Sequence, residues 1–455
     1  MQITFLLWAS LISLTAMLLI KGEDTSDFVE RLPGQPAVKY KQYAGYVTVN
    51  ATRGRALFYW FVEADNKKAA SVPVSFWFNG GPGCSSIGEG AFTELGPFYN
   101  KNEGFGLVRN HHSWNRDSNI VFVDSPAGVG YSYSNTSSDY NYFSDELTAI
   151  DALAFLNGWF TKFPEYGNND VYLLGESYAG HYAPNLAKQI ILHNERAGSS
   201  QIKLKGFLIG NPWTDAYYDN KGAVDFWYYH SLISDATYDA IQDNCDYKSE
   251  PAVGYSNNLV CQNAANQASG IDMAEINAYN IYAGNCNTPN SSTVLKPSFF
   301  LRFKDSKFCT PDTTTPYLNL PEVKAAFHTL SNITWTECSV VVNNQYSVAS
   351  VVESMLPVYR FLQGRGLKIW IYSGDIDGVV PTTGTRYWLK ELDLPIEVPW
   401  YPWNHSTQVG GWTQVYRGLT FVTVRNAGHM VPADKPGQGL AVFRSFLAGN
   451  PLPPL

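Results

Sequence analysis

Four short stretches carry residues that could act together on an acyl group. The first is GESYAG, residues 175–180, which follows the apolar run DVYLL. A serine that attacks a carbonyl needs its hydroxyl held clear of the backbone on a sharp strand-to-helix turn. Such a turn has room only for small residues two places before and two places after the serine. Gly175 and Ala179 meet that demand around Ser177, although the usual pattern ends in glycine. A methyl group is nearly as small as a hydrogen, so the departure is mild. A helix that starts after Ser177 also points its first N–H groups at the site and favours negative charge there.

Such a serine needs a histidine as base, and in this kind of turn-and-sheet arrangement the chain order is Ser, acid, His. Of the eight histidines only His328, His405 and His429 lie far downstream. The local pattern puts His328 inside a helix and His405 in a polar, Trp-rich segment. His429 follows an apolar run in NAGHMVP and is the best candidate. The acid should end an earlier strand. Asp375 and Asp377, in SGDIDGVVP, both do so, and spacing does not decide which one meets His429. The other would serve the turn. Developing negative charge on the substrate oxygen calls for backbone N–H groups in the turn after an early strand. FNGGPGCSS (78–86) fits, because glycine lets the main chain approach a substrate unobstructed. Taken alone, that stretch reads equally well as turn chemistry.

The elements that must position these residues follow from the hydrophobic pattern. VPVSFWF (72–78), NIVFVD (119–124), DVYLL (170–174), LKGFLIG (204–210), LKIWIYSG (367–374) and LTFVTV (419–424) each run into a glycine- or proline-containing turn. Unbroken apolar runs of this length suit strands buried on both faces. Between them lie helical patterns. Leu147, Ile150, Leu153, Leu156, Phe160 and Phe163 recur at spacings of three and four within 145–163, with Ser144 as cap and Asp145 and Glu146 in the first turn. A second helix is expected over 182–195. Strand, turn and helix in repetition predict an α/β fold with a mostly parallel sheet and helices on both faces. Ligands bind such sheets beyond the carboxyl ends of the strands, where all these turns lie.

The pattern breaks between 213 and 319, which holds four of the six cysteines and the polar stretch NCNTPNSSTVLKPS. It is expected to be a disulfide-stapled insertion or cap. The expected organisation is therefore a leader over 1–22, core over 23–212, cap over 213–319 and core again over 320–455. PEVKAAFH reopens the core with Pro321 at the start of a helix.

Composition narrows the function. The net charge of −8, without basic blocks, argues against nucleic acid as a partner. The N-terminal run ITFLLWASLISLTAMLLI (3–20) then turns polar, which favours a cleaved secretory leader over a membrane anchor, although no Lys or Arg precedes Lys21. Six cysteines in a secreted chain predict three disulfides. With no C-x-x-C and no H-E-x-x-H, neither a metal site nor a cofactor is expected. Sequons at Asn50, Asn135, Asn290, Asn332 and Asn404 are expected to carry glycans on the secretory route, toward the cell exterior or a vacuolar or lysosomal compartment.

Together NGGPGCSS, GESYAG, GDID and GHMVP resemble, in type and order, the serine carboxypeptidase family, the peptidases of α/β-hydrolase fold. The likeness runs from about residue 30 over nearly the whole chain. It is closest to the plant-type members, as in YVTVN…GRALFYWF and the cysteine-rich insertion. The resemblance implies Ser177 as nucleophile, His429 as base and Asp377 as its orienting acid, with the oxyanion held by the N–H groups of Gly81 and Tyr178. It implies that Asn79, Glu94 and Glu176, helped by the Gly80 N–H, bind the substrate's terminal carboxylate. It also implies the pairs Cys84–Cys338, Cys245–Cys261 and Cys286–Cys309, and Met430 in the pocket for the final side chain. The implied substrates are peptide or protein C-termini, cut at acidic pH, and a homodimer is compatible.

Three charges cannot share a dry pocket, so at least one of Glu94 and Glu176 must hold a proton when a substrate carboxylate binds. Acyltransferases of the same family use glucose esters and typically have Asp for the Glu beside the serine and Thr for the Asn before Gly-Gly. This chain keeps Asn79 and Glu176, which favours the peptidase. A hydroxynitrile lyase, also known in the family, has no specific support. An idle binding protein is disfavoured by the intact Ser177, Asp377 and His429.

Overall fold

The first antiparallel pair, β1 (Gln42–Asn50) and β2 (Arg55–Val62), leads into a run of strands whose residues are almost all buried. These are β3 (Val74–Phe78), β6 (Asn119–Val123), β8 (Val171–Glu176), β9 (Leu204–Gly210), β10 (Lys368–Gly374) and β13 (Leu419–Val424). They are the six apolar runs of the sequence, and they form the parallel centre of the sheet. A hairpin of β11 (Ile396–His405) and β12 (Gln408–Tyr416) extends one edge, in the order β1-β2-β6-β3-β8-β9-β10-β13-β12-β11. The short β7 (Tyr133–Ser134) pairs with β2, and β4 (Phe98–Asn100) with β5 (Leu107–Arg109) in a separate ribbon. This computed structural model describes residues 25–65, 69–101, 105–255, 257–284 and 312–455. The expected leader, Asn290, Cys286 and Cys309 lie outside the described residues.

Each face of the sheet is covered by its own apolar cluster. One holds α1 (Asp145–Lys162) and α2 (Ala179–Asn194) against residues such as Phe76, Leu173 and Phe207. The other packs the C-terminal helix Pro436–Ala448 on the reverse side, where Trp114 stacks on Phe443 at 4.3 Å. A third cluster joins α3 (Ala216–Tyr229), α4 (Asp235–Asn244) and α5 (Leu259–Gln267), tied by the Cys245–Cys261 disulfide. Trp213 and Ala216, at the head of this region, still pack in the main core.

Ser144 caps α1 by accepting from the Leu147 N–H, with Asp145 and Glu146 in the first turn. The first turns of α1, however, are rotated from the face the sequence pattern predicted, while farther along Leu156 is buried and Leu153 and Phe160 pack against the core as expected. Thr148, Ala152, Phe155 and Trp159 face inward, whereas Leu147 and Ile150 are 39% and 47% exposed. Asp151 can sit on the buried side because the Arg55 guanidinium meets its carboxylate at 2.7 Å. A second correction concerns His328. The helix Pro321–Ala326 ends before it, and His328 sits in a left-handed turn with Nδ1 3.1 Å from the Ala44 carbonyl oxygen. His405 closes β11 beside His112. Neither histidine is bonded to Asp375 or Asp377.

Candidate active site

Ser177 is the junction of β8 and α2. Its φ of 62° lies in the left-handed region that non-glycine residues rarely adopt, and such strain is kept where the surroundings over-determine it. Here its N–H donates to the Gly210 carbonyl at 2.9 Å, and its own carbonyl accepts from Gly180 and Trp213. The small residues on either side are required by contact. A Cβ on Gly175 would lie 2.5 Å from the Phe78 oxygen and 2.6 Å from the Ala179 Cβ. Gly175 and Ala179 thus touch each other, and one methyl between them is what the turn can hold.

The loop after β3 comes up against this turn. A Cβ on Gly80 would lie 2.4 Å from the Tyr178 nitrogen and 2.8 Å from the Ser177 Cβ, so only glycine allows this approach. Gly81 follows with φ 111°. The loop is pinned from its far side by the Cys84–Cys338 disulfide and by paired backbone bonds, Ser85 N–H to Glu337 O and Ser339 N–H to Gly83 O. Ser85 also donates to Asp124 at the end of β6.

The acid left open by spacing is Asp377. Its Oδ2 meets His429 Nδ1 at 2.7 Å and accepts from Asn211 Nδ2 at 2.8 Å and from the Val380 N–H. Oδ1 accepts from the Val379 N–H. Asp375 instead accepts from the Asn426 N–H and serves the turn. The His429 N–H is held by the Tyr279 carbonyl at 2.7 Å. Burial alone would lower the basicity of the His429 ring. The charge of Asp377 and the bond to it outweigh burial and hold the ring above the ordinary histidine value.

Beside this pair lies an acidic cluster around Asn79. The Trp77 indole N–H donates to Asn79 Oδ1, which turns the amide nitrogen toward three carboxyls. Nδ2 is 3.2 Å from Glu89, 3.4 Å from Glu94 and 3.4 Å from Glu176. Glu94 and Glu176 are almost fully buried. Burial, partly offset by the bond to Glu176, pushes Glu94 up to about 7. Burial first, and then the charge of Glu94, hold Glu176 well above the usual carboxylate range. Burial and mutual repulsion thus bias both carboxyls toward their protonated form. Met430, next to His429, is partly exposed. Asn135 and Asn332 are exposed, and Asn50 and Asn404 partly so.

Some members of this constellation have no mark in the sequence that singles them out. Glu89 and Glu94 are five residues apart on Ser86–Glu94, a π-helical segment whose closing Leu95 N–H bonds Gly90 O. The wider π turn brings positions five apart toward one face, which ordinary helical periodicity does not. Asn211 had one available signal, its place directly after a strand on the ligand edge. Behind the turn, the buried Asp145 takes hydroxyl bonds from Tyr178 at 3.1 Å and Tyr346 at 2.8 Å, and meets His181 Nδ1 at 2.8 Å.

A strained serine between a parallel strand and a helix, with an Asp–His pair at the same edge, defines a serine hydrolase of α/β-hydrolase fold. The family profile described as serine carboxypeptidase matches residues 33–449. Serine carboxypeptidase 24 of Arabidopsis thaliana is 45% identical over 446 residues, covering 95% of this chain and 94% of its own. Serine carboxypeptidase-like 26 of Oryza sativa subsp. japonica is 43% identical, covering 95% and 92%. The fold is shared with a prohormone-processing carboxypeptidase of Saccharomyces cerevisiae, at TM-score 0.77 and 24% identity over 93% of this chain and 96% of that one. The chain belongs to the serine carboxypeptidase family, and its class is that of serine-type carboxypeptidase hydrolases.

The contact between Gly175 and Ala179 yields a prediction. Gly175→Ala adds a second methyl where one already fits, so it should lower stability by about 1–3 kcal/mol, as overpacking does, and reduce turnover as well. Ala179→Gly, which restores the usual pattern, should keep most activity. Thermal melts and kcat for the two variants check this; equal behaviour would mean the turn is less crowded than its geometry implies.

Proposed function

We propose that this enzyme removes single residues from the C-termini of peptides, through an acyl-enzyme on Ser177. The observation that carries the proposal is the buried pair of carboxyls, Glu94 and Glu176, gathered on the Asn79 amide beside the Asp377–His429 pair. A chain-terminal carboxylate is the ligand such a pair suits, since a protonated carboxyl donates to it where an ionised one repels it.

The roles then follow. His429 uses Nε2, because Nδ1 is committed to Asp377. It takes the Ser177 proton as Oγ attacks the carbonyl before the last residue. The Gly81 and Tyr178 N–H groups hold the oxyanion. The proton passes to the leaving amine, the C–N bond breaks, and the free amino acid departs. Water, activated by His429, then hydrolyses the ester and returns Ser177 to its starting state. Asn79 and Glu176 favour peptide hydrolysis over transfer from a glucose ester. Mass spectrometry of a blocked peptide should show stepwise loss of C-terminal residues; transfer from a glucose ester without peptide cleavage would support the acyltransferase. The apolar leader and the sequons support a location on the secretory route, outside the cell or in a vacuole. Among the described residues no helix is long and apolar enough to cross a membrane.

Ser177→Ala should fold normally and lose ~10⁴ to 10⁶ in rate, the usual cost of removing one triad member. An organophosphorus reagent should label Ser177 in the parent enzyme. Full activity in the alanine variant, with labelling elsewhere, sinks the assignment.

The pH dependence has two limbs. Below the raised pKa of His429 the base is protonated, so kcat falls as the medium becomes more acidic. Above about 7 Glu94 loses its proton, which leaves Glu176 as the pair's donor beside a charged neighbour, and the pair holds a substrate carboxylate less well. KM for a peptide acid should therefore rise as pH increases through this range, while KM for the matching amide stays flat. Glu176→Gln, which donates without a titrating proton, should flatten the profile of the acid. Parallel profiles for acid and amide would show that the pair does not bind the terminal carboxylate.

Met430 gives the pocket for the last side chain an apolar wall, and a cation desolvated there without a partner loses several kcal/mol. Peptides ending in Leu should have higher kcat/KM than matched peptides ending in Arg, and Met430→Glu should move the ratio toward Arg. A parent enzyme that already prefers Arg would shift the assignment to another acid, with Glu89 the first to replace by Gln.

A further inference from the structure

The rotation of α1 leaves an unexplained surface. Leu147 and Ile150 are turned outward, and Tyr142, just before the helix, is 56% exposed. Single exposed apolar residues are ordinary, but three on neighbouring turns are a patch that a folded chain normally covers. Leu147 and Tyr142 line a cavity of about 400 Å³ between the β1–β2 hairpin and the start of α1. Its opposite wall is polar. Arg53 pairs with Asp139 and donates to the Ser138 hydroxyl at 2.8 Å. Arg55 bridges Asp139 and Asp151. On the rim of the same cavity lies Asn50, the first residue of the sequon Asn50-Ala51-Thr52. Asn50 Oδ1 accepts from the Arg53 N–H at 3.1 Å, and Ala51 and Thr52 are exposed in the turn.

We propose that an N-linked glycan on Asn50 folds back into this cavity and covers the apolar patch. The chemistry of the walls suits a sugar. A pyranose ring presents a face of C–H groups, which packs on an aromatic ring such as Tyr142 and on Leu147. Its rim of hydroxyls bonds to charged donors and acceptors such as Arg53 and Asp139, where charge-assisted bonds are the stronger kind. Attachment on the rim delivers the first sugars at high effective concentration, so a weak seat can still be occupied. A neighbouring sequon at Asn135 shares the hairpin turn through its N–H bond to the Gly54 carbonyl, but it is exposed and is not among the residues lining this cavity. It is the internal comparator. The proposal rests on the secretory reading above, and the test separates the two.

Full-length protein secreted from a eukaryotic host is treated, folded and then denatured, with an N-glycan-releasing enzyme, and each site is followed by glycopeptide mass spectrometry. The Asn50 glycan should be released about tenfold more slowly than the Asn135 glycan from folded protein, as expected where access needs a local opening, and equally fast after denaturation. Tyr142→Ala combined with Leu147→Lys, both at exposed positions, should abolish that protection without lowering occupancy. Thr52→Ala, which removes the sequon but keeps Asn50, should quicken hydrogen exchange over 142–151 and raise binding of a hydrophobic dye; Thr136→Ala should do neither. Equal release rates at the two sites overturn the seat. An unmodified Asn50 beside a modified Asn135 overturns it too and leaves the secretory reading intact. Sequons that are all unmodified overturn both.

Discussion

Two buried carboxyls that touch cannot both be charged, and the active-site region is arranged around that fact. Glu94 and Glu176 come from different elements, the end of a π-helical turn and the last residue of β8. They meet over one amide nitrogen, Asn79 Nδ2, whose direction is set by the Trp77 indole. Without a proton on the pair, this corner would carry the charge of three acids with little solvent to screen it. Burial and the neighbouring charge therefore favour a proton on the pair. Under the proposed peptidase reading, a substrate carboxylate would meet a hydrogen-bond donor there. Glu176 is also the residue before Ser177, so the charge state of the pair is set one residue away from the strained turn.

That closeness demands that two backbone segments nearly touch. The loop bearing Gly80 and Gly81 approaches the Ser177–Tyr178 turn to a distance at which no side chain fits. If this loop supplies the proposed oxyanion donors, it must be rigid, because such donors act by being in place beforehand. The far side of the loop is therefore fastened several times over: by Cys84–Cys338, by the backbone bonds through Ser85 and Ser339, and by the Ser85–Asp124 bond. The turn is fastened from beneath by Asp145, which takes the hydroxyls of Tyr178 and Tyr346.

What was legible in the sequence follows from the range of each signal. The six central strands carry their burial on both faces, so unbroken apolar runs revealed them, and their turns revealed the ligand edge. Ser177, His429 and the two candidate aspartates lie in those turns and were legible by order alone. The start of α1 was not, because an ion pair from β2 makes Asp151 a buried residue and leaves Leu147 and Ile150 outside. Glu89 was not, because its partnership depends on a π turn rather than an α turn. The choice of Asp377 over Asp375 depends on the Asn211 amide and on the N–H groups of 379 and 380, contacts that no local pattern encodes.

Among the described residues two Asp–His pairs have nearly equal length, and they differ in their setting. Asp145–His181 at 2.8 Å and Asp377–His429 at 2.7 Å are both buried. In the first, the carboxylate also serves two tyrosine hydroxyls, the His181 ring stacks on Tyr178 at 4.7 Å, and Nε2 is enclosed without a protein partner. The pair acts as a packed support beneath the turn. In the second, the carboxylate is saturated by backbone and amide donors, which leaves the ring as the group free to change its charge. His429 stands on a loop at the carboxyl end of β13, at the edge where Ser177 lies. Residue type and distance are the same in both pairs. In both, Nδ1 faces the carboxylate and Nε2 is left, so what separates the pairs is their setting: one is enclosed beneath the turn, the other stands on a loop at the carboxyl edge of the sheet where Ser177 lies.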